Sequence, residues 1–158
     1  MRRLLAALGM LGWLGASPAA QPGTSTVRIT VPPMVLVQID DVTAATVSSG
    51  AMRVSFNQAR LQPGEALRIS VKADTTLSLP GGVPVSAASM TWTTSQVSNG
   101  VGINGMLSTG VYTPVYESVP DVRTGRVDLT WTIALPPGLV RAGTAQMVLR
   151  WKVEAFNP

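Results

Sequence analysis

Two segments near the C-terminus alternate apolar and polar residues with a period of two, and only a β-strand sorts such a row onto one face. From Gly125 to Leu135, Val127, Leu129, Trp131, Ile133 and Leu135 share one side, and Asp128, Thr130 and Thr132 share the other. From Ala145 to Phe156 the pattern repeats, with Met147, Leu149, Trp151, Val153 and Ala155 inward and Arg150, Lys152 and Glu154 outward. Each tryptophan shares its face with aliphatic residues, so Trp131 and Trp151 are both expected in a core. Pro136-Pro137-Gly138 and Arg141-Ala142-Gly143 mark a loop between the two strands. The strands therefore either pair directly or cross between two sheets.

The same alternation appears in shorter form upstream. Val27, Ile29 and Val31 alternate with Arg28 and Thr30 until Pro32-Pro33 interrupts. Val35, Val37 and Ile39 follow, with Leu36 among the intervening residues, so this strand is expected to be covered on both faces. Met52, Val54 and Phe56 make a further row, as do Leu67, Ile69, Val71 and Ala73; Met90 to Thr94 adds a strand carrying Trp92. Residues 95–123 are rich in Gly and Asn and read as short strands within long connections, the kind of segment that carries binding function. About eight short strands separated by Gly and Pro predict an all-β fold: one antiparallel, immunoglobulin-like β-sandwich over residues 20–158. A closed β-barrel is the alternative.

The first residues read differently. Arg2 and Arg3 precede an apolar run from Leu4 to Leu14, and small residues stand at Ser17 and Ala19. This is the pattern of a cleaved secretory signal over residues 1–19, too short to span a bilayer. The mature chain is thus expected to be secreted, periplasmic or displayed at the cell surface, with no transmembrane anchor. Only 13% of residues are charged, against about 25% in an average soluble domain. A surface that poor in charge suits an exported protein or one packed against copies of itself. No basic run occurs, so nucleic acid is not an expected partner.

The chain has no histidine and no cysteine. That removes the Ser-His-Asp triad, His-based zinc sites, thiol catalysis, iron–sulfur clusters and blue copper. A two-carboxylate hydrolase needs only acids, and Glu117 beside Tyr116 is the one acid next to an aromatic that suggests a sugar cleft. Asp40-Asp41 is the only adjacent acid pair; it would need Asp121 or Glu117 in space to hold calcium, and otherwise makes a turn after Ile39. Tyr112 and Tyr116, four apart in an extended segment, would share a face and are the candidates for ligand contact. No cofactor is expected.

The C-terminal strands also resemble a known group. Trp131-Thr132-Ile133, then Ala142-Gly143-Thr144, then an alternating last strand resemble the final hairpin of secreted bacterial β-sandwich proteins of the spore-coat-U-like and fimbrial-subunit-like kinds. The resemblance covers some thirty residues. It departs from chaperone–usher fimbrial subunits, which often carry a cysteine pair and a penultimate tyrosine where this chain has Asn157. It implies a non-catalytic structural or surface protein that assembles with copies of itself or with another cell-envelope component. Val27, Ile29 and Val31 have the spacing of a strand added to a neighbour's sheet. The alternatives are a carbohydrate- or small-ligand-binding module and the two-carboxylate hydrolase. Mass spectrometry of the exported chain is expected to find an N-terminus at Ala20, and a secreted form beginning at Met1 would contradict the signal reading.

Overall fold

The computed structural model describes residues 26–139 and 141–158, so the signal reading over residues 1–19 lies outside the described residues. The elements are β1 (Thr26–Thr30), β2 (Met34–Ile39), β3 (Thr46–Arg60), β4 (Ala66–Ala73), β5 (Leu77–Leu79), β6 (Val83–Val85), a short 3₁₀ turn at Ala87–Ser89, β7 (Met90–Ser98), β8 (Gly100–Gly102), β9 (Gly105–Met106), β10 (Thr113–Ser118), β11 (Gly125–Ala134) and β12 (Gly143–Phe156). One sheet runs β1-β3-β11-β7-β9; the other runs β6-β5-β12-β4-β10-β8, with β2 also on β12. All pairings are antiparallel. The fold is an all-β sandwich, and its sheets end in edge strands rather than closing into a barrel.

The two C-terminal strands do not pair. β11 is central in the first sheet and β12 in the second, and their apolar rows supply the two inner faces. Val127, Leu129, Trp131 and Ile133 are buried on β11, and Ala145, Met147 and Leu149 on β12. Trp92 stands opposite Trp131 in the β7–β11 ladder, with ring centroids 5.3 Å apart and planes tilted by 57°. Three polar neighbours obscured Trp92 in the sequence, yet it is as buried as Trp131. Its indole N–H donates to the Ile103 carbonyl at 2.7 Å. A side chain at Gly105, Trp92's partner across the β7–β9 pair, would collide with the indole, so the ring lies directly on the β9 backbone.

Two expectations are corrected. β2 is covered on one face only: Val35, Val37 and Ile39 are buried while Leu36 is 52% exposed. Trp151 is half-buried rather than core, because the inward row of β12 opens toward its C-terminal end. The chain changes sheets between β1 and β2 at Val31-Pro32-Pro33, where two prolines cannot continue a ladder. On the outer face of the first sheet, Arg53 Nε and Nη2 donate to the Asp128 carboxylate at 2.9 and 3.1 Å. The Arg53 hydrogen bonds hold the Asp128 carboxyl below its usual range.

Removing a fully buried indole leaves a void that the surrounding strands fill only in part. Trp131→Ala is expected to cost ~3–5 kcal/mol in a denaturant melt, and Trp151→Ala clearly less because its ring already meets solvent. Equal midpoints for the two variants would contradict the packing described.

Candidate functional site

β12 has fourteen residues, and its two sides are covered unequally. On one side β5 meets Gln146 and β4 covers Leu149 to Phe156. On the other side β2 covers only Gly143 to Val148, and one further bond follows, from the Leu149 N–H to the Pro33 carbonyl at 3.0 Å. Successive residues of a strand turn their N–H and C=O groups to opposite sides. Leu149 faces β2, and the Val148 carbonyl faces the β4–β5 side, where it accepts from the Asp74 N–H at 2.9 Å. Trp151, Val153 and Ala155 therefore turn their backbone groups to the β2 side, where β2 no longer runs. Among the described residues no strand pairs with that side of residues 151–155.

Over the same stretch the sandwich is open laterally. Burial along the inward row falls from buried at Leu149 to half-buried at Trp151 and Val153 and exposed at Ala155. β1 is the edge of the other sheet, with Val27 and Ile29 also half-buried against the core. Trp151 spans the upper end of the opening, its indole N–H donating to the Pro32 carbonyl at 2.7 Å. The charges of β12 do not guard this edge. Arg150 pairs with Asp74, Lys152 with Glu154 at 2.7 Å, and Glu154 also lies 3.9 Å from Arg68, all across the outer face. The Lys152 ammonium holds Glu154 below the usual carboxylate range.

The sequence candidates fall elsewhere or change role. Val27, Ile29 and Val31 are not a free arm: residues 26–30 pair antiparallel with β3 of their own domain, across one register shift, and both valines and the isoleucine pack on its core. Tyr112 and Tyr116 do not share a face. A register shift between Pro114 and Tyr116 inserts Val115 as an extra residue, which reverses the parity. Tyr112 turns outward, with Lys72 Nζ 4.9 Å from its ring centroid. Tyr116 turns inward, fully buried, 5.9 Å from Phe56 between ring centroids, and its hydroxyl donates toward the Ser98 and Asn99 carbonyls, each at 2.8 Å. A paired aromatic platform for a ligand is therefore not built. Glu117 faces out in an ion pair with Arg68 at 2.6 Å rather than lining a cleft.

Asp40 and Asp41 form the turn reading of that pair. Asp41 accepts from the Thr43 hydroxyl and N–H at 2.6 and 2.8 Å, and the hydroxyl bond lowers its pKa. Asp40 accepts from Gln38 at 3.1 Å. Asp121 instead caps the Gly64 N–H at 2.8 Å, and Glu117 is held by Arg68, so neither joins them. Among the described residues no three acids gather in a metal-binding group. No protein-family model, curated protein or solved structure matches the chain.

Burial raises the Tyr116 pKa to about 12. The fold thus favours the protonated phenol, and an unfolded tyrosine ionises near 10. The stability this supplies is whole below pH ~10 and drains away as pH rises toward about 12. Alkaline melts of the parent are expected to lose stability across that window more steeply than those of Tyr116→Phe. Parallel curves would place the hydroxyl in solvent.

Proposed function

We propose that the protein is an exported, non-catalytic structural subunit that assembles with copies of itself by strand addition, and that the open half of β12 is where the added strand docks. The observation that carries this reading is the edge of residues 151–155, unpaired among the described residues, lying over a half-open core. A strand docking there would satisfy the outward backbone groups of Trp151, Val153 and Ala155 and lay an alternating apolar row against Trp151 and Val153. Natural sandwiches blunt exposed edges with bulges, prolines or charged side chains; this stretch has no bulge and no proline, and its two charges, Lys152 and Glu154, pair with each other on the outer face.

The donor is β1 of a second copy. It carries Val27, Ile29 and Val31 at alternate positions in or just past an edge strand that has one neighbour. A β1 edge meeting a β12 edge is a heterologous contact. Such contacts repeat from copy to copy and grow a filament unless the rotation happens to close a ring. The absence of His and Cys and the occupation of Asp74, Glu117, Asp128 and Glu154 in ion pairs favour a structural role over a catalytic one.

Ile29→Asp is a poor test, since Ile29 packs on its own domain's core and the change would unfold the monomer. Val153→Pro is the cleaner one. It deletes one N–H on the open side and leaves the β4 ladder intact, a position where an edge strand tolerates proline. Light scattering over a concentration series is expected to show growth for the parent and a folded monomer for Val153→Pro. A parent that stays monomeric, or a variant that assembles as the parent does, contradicts the reading.

A further inference from the structure

We propose that a basin at one end of the first sheet, separate from the open edge of β12, binds a carboxylate-bearing sugar chain through Arg28, Arg60 and Arg123. The described residues hold ten Lys and Arg. Arg53, Arg68, Arg150 and Lys152 are ion-paired, and Lys72 lies over Tyr112. Arg28, Arg60, Arg123, Arg126 and Arg141 make no ion pair among the described residues. Three of these five line one basin of about 1040 Å³. Among the described residues the only acid on its wall is Asp121, whose carboxylate is held by the Gly64 N–H and pairs with none of the three. Three guanidiniums against one carboxylate leave the basin cationic.

The walls are set before any ligand arrives. The Ala59 N–H donates to the Arg123 carbonyl at 3.1 Å, and the Asp121 N–H donates to the Glu65 carbonyl at 3.0 Å. These bonds tie the loop before β11 to the end of β3 and the start of β4. Gln58 and Asp121, two of the four non-glycine residues with positive φ among the described residues, both stand on the wall. The chain there is held in a conformation that the neighbouring bonds maintain, so little ordering is left for binding to supply.

Chemistry then narrows the occupant. The basin is at the upper end of ligand-site sizes, room for an extended molecule rather than a lone ion. Guanidinium forks bind carboxylates in a bidentate way, and three of them match acids repeated along a polymer. The Gln58 amide and the Thr124 hydroxyl offer partners for sugar hydroxyls. Among the described residues no aromatic lines the wall, so these offer no stacking surface of the kind on which neutral sugars or unpaired bases rest.

The test is a calorimetric titration of the full mature chain at low salt with polygalacturonate, dextran, poly-L-glutamate and an oligothymidylate. Polygalacturonate is expected to bind most tightly and to weaken as salt rises. Arg60→Gln and Arg123→Gln should each lose about fivefold, the upper end for an exposed charge pair, while Arg141→Gln, the same charge change outside the basin, should lose nothing. The variants touch exposed side chains, and a thermal melt checks that they fold. Val153→Pro leaves every residue of the basin in place and should still bind, which separates this site from the open edge of β12. No binding to polygalacturonate, equal loss in Arg141→Gln, equal binding of dextran, polyglutamate or oligothymidylate, or loss of binding in Val153→Pro would each overturn the proposal.

Discussion

A strand has two hydrogen-bonding sides, and in this chain one strand has to serve three neighbours. β12 takes β2 along its first half, β4 along its second and β5 at the change-over. Its pairing therefore organises the second sheet, and its inward row forms half of the core opposite β11. Because β2 stops at Met34 and the chain crosses to β1 through Pro32 and Pro33, the second half of β12 is left with one neighbour among the described strands. The open edge follows from the place of two prolines and the length of one strand. The half-burial of Trp151 and Val153 follows from the same cause, since the strand that would roof them belongs to the other sheet.

The opposite side of the core is closed more firmly. Trp92 and Trp131 meet across the β7–β11 pair, and Gly105 lets the β9 backbone lie against the Trp92 ring. Phe56 and Tyr116 make a second aromatic contact between the two sheets. At Gly125 a side chain would collide with both of these rings, so β11 begins where only a bare backbone fits. These contacts enclose one side of the core, while β1 and residues 151–155 of β12 stay half-buried or exposed.

Much of this was legible in the sequence, and the reasons for the rest are local. The rows on β11 and β12 announced two inner faces because period-two alternation over ten or more residues has no other compact use. Alternation says which side chains point inward but not whether anything lies beyond the edge, so Trp131 and Trp151 looked alike although only Trp131 is enclosed. Tyr116 was misplaced by one extra residue, Val115, since a bulge reverses parity and leaves no mark in composition. Trp92 was hidden by its threonine neighbours, of which Thr91 and Thr93 face solvent. The arginine basin had no linear signal at all: its three cations come from β1, β3 and the loop before β11, and only folding gathers them.

Backbone amide exchange along β12, read residue by residue by NMR, tests the open edge most directly. In dilute solution the amides of Arg150, Lys152 and Glu154 face β4 and should be protected, while those of Trp151, Val153 and Ala155 should exchange freely. On concentration the second set should become protected and the first set should not change. Uniform protection along residues 150–155 in the dilute monomer, or free exchange of Trp151, Val153 and Ala155 that persists at high concentration, would contradict an edge that waits for a neighbour's strand.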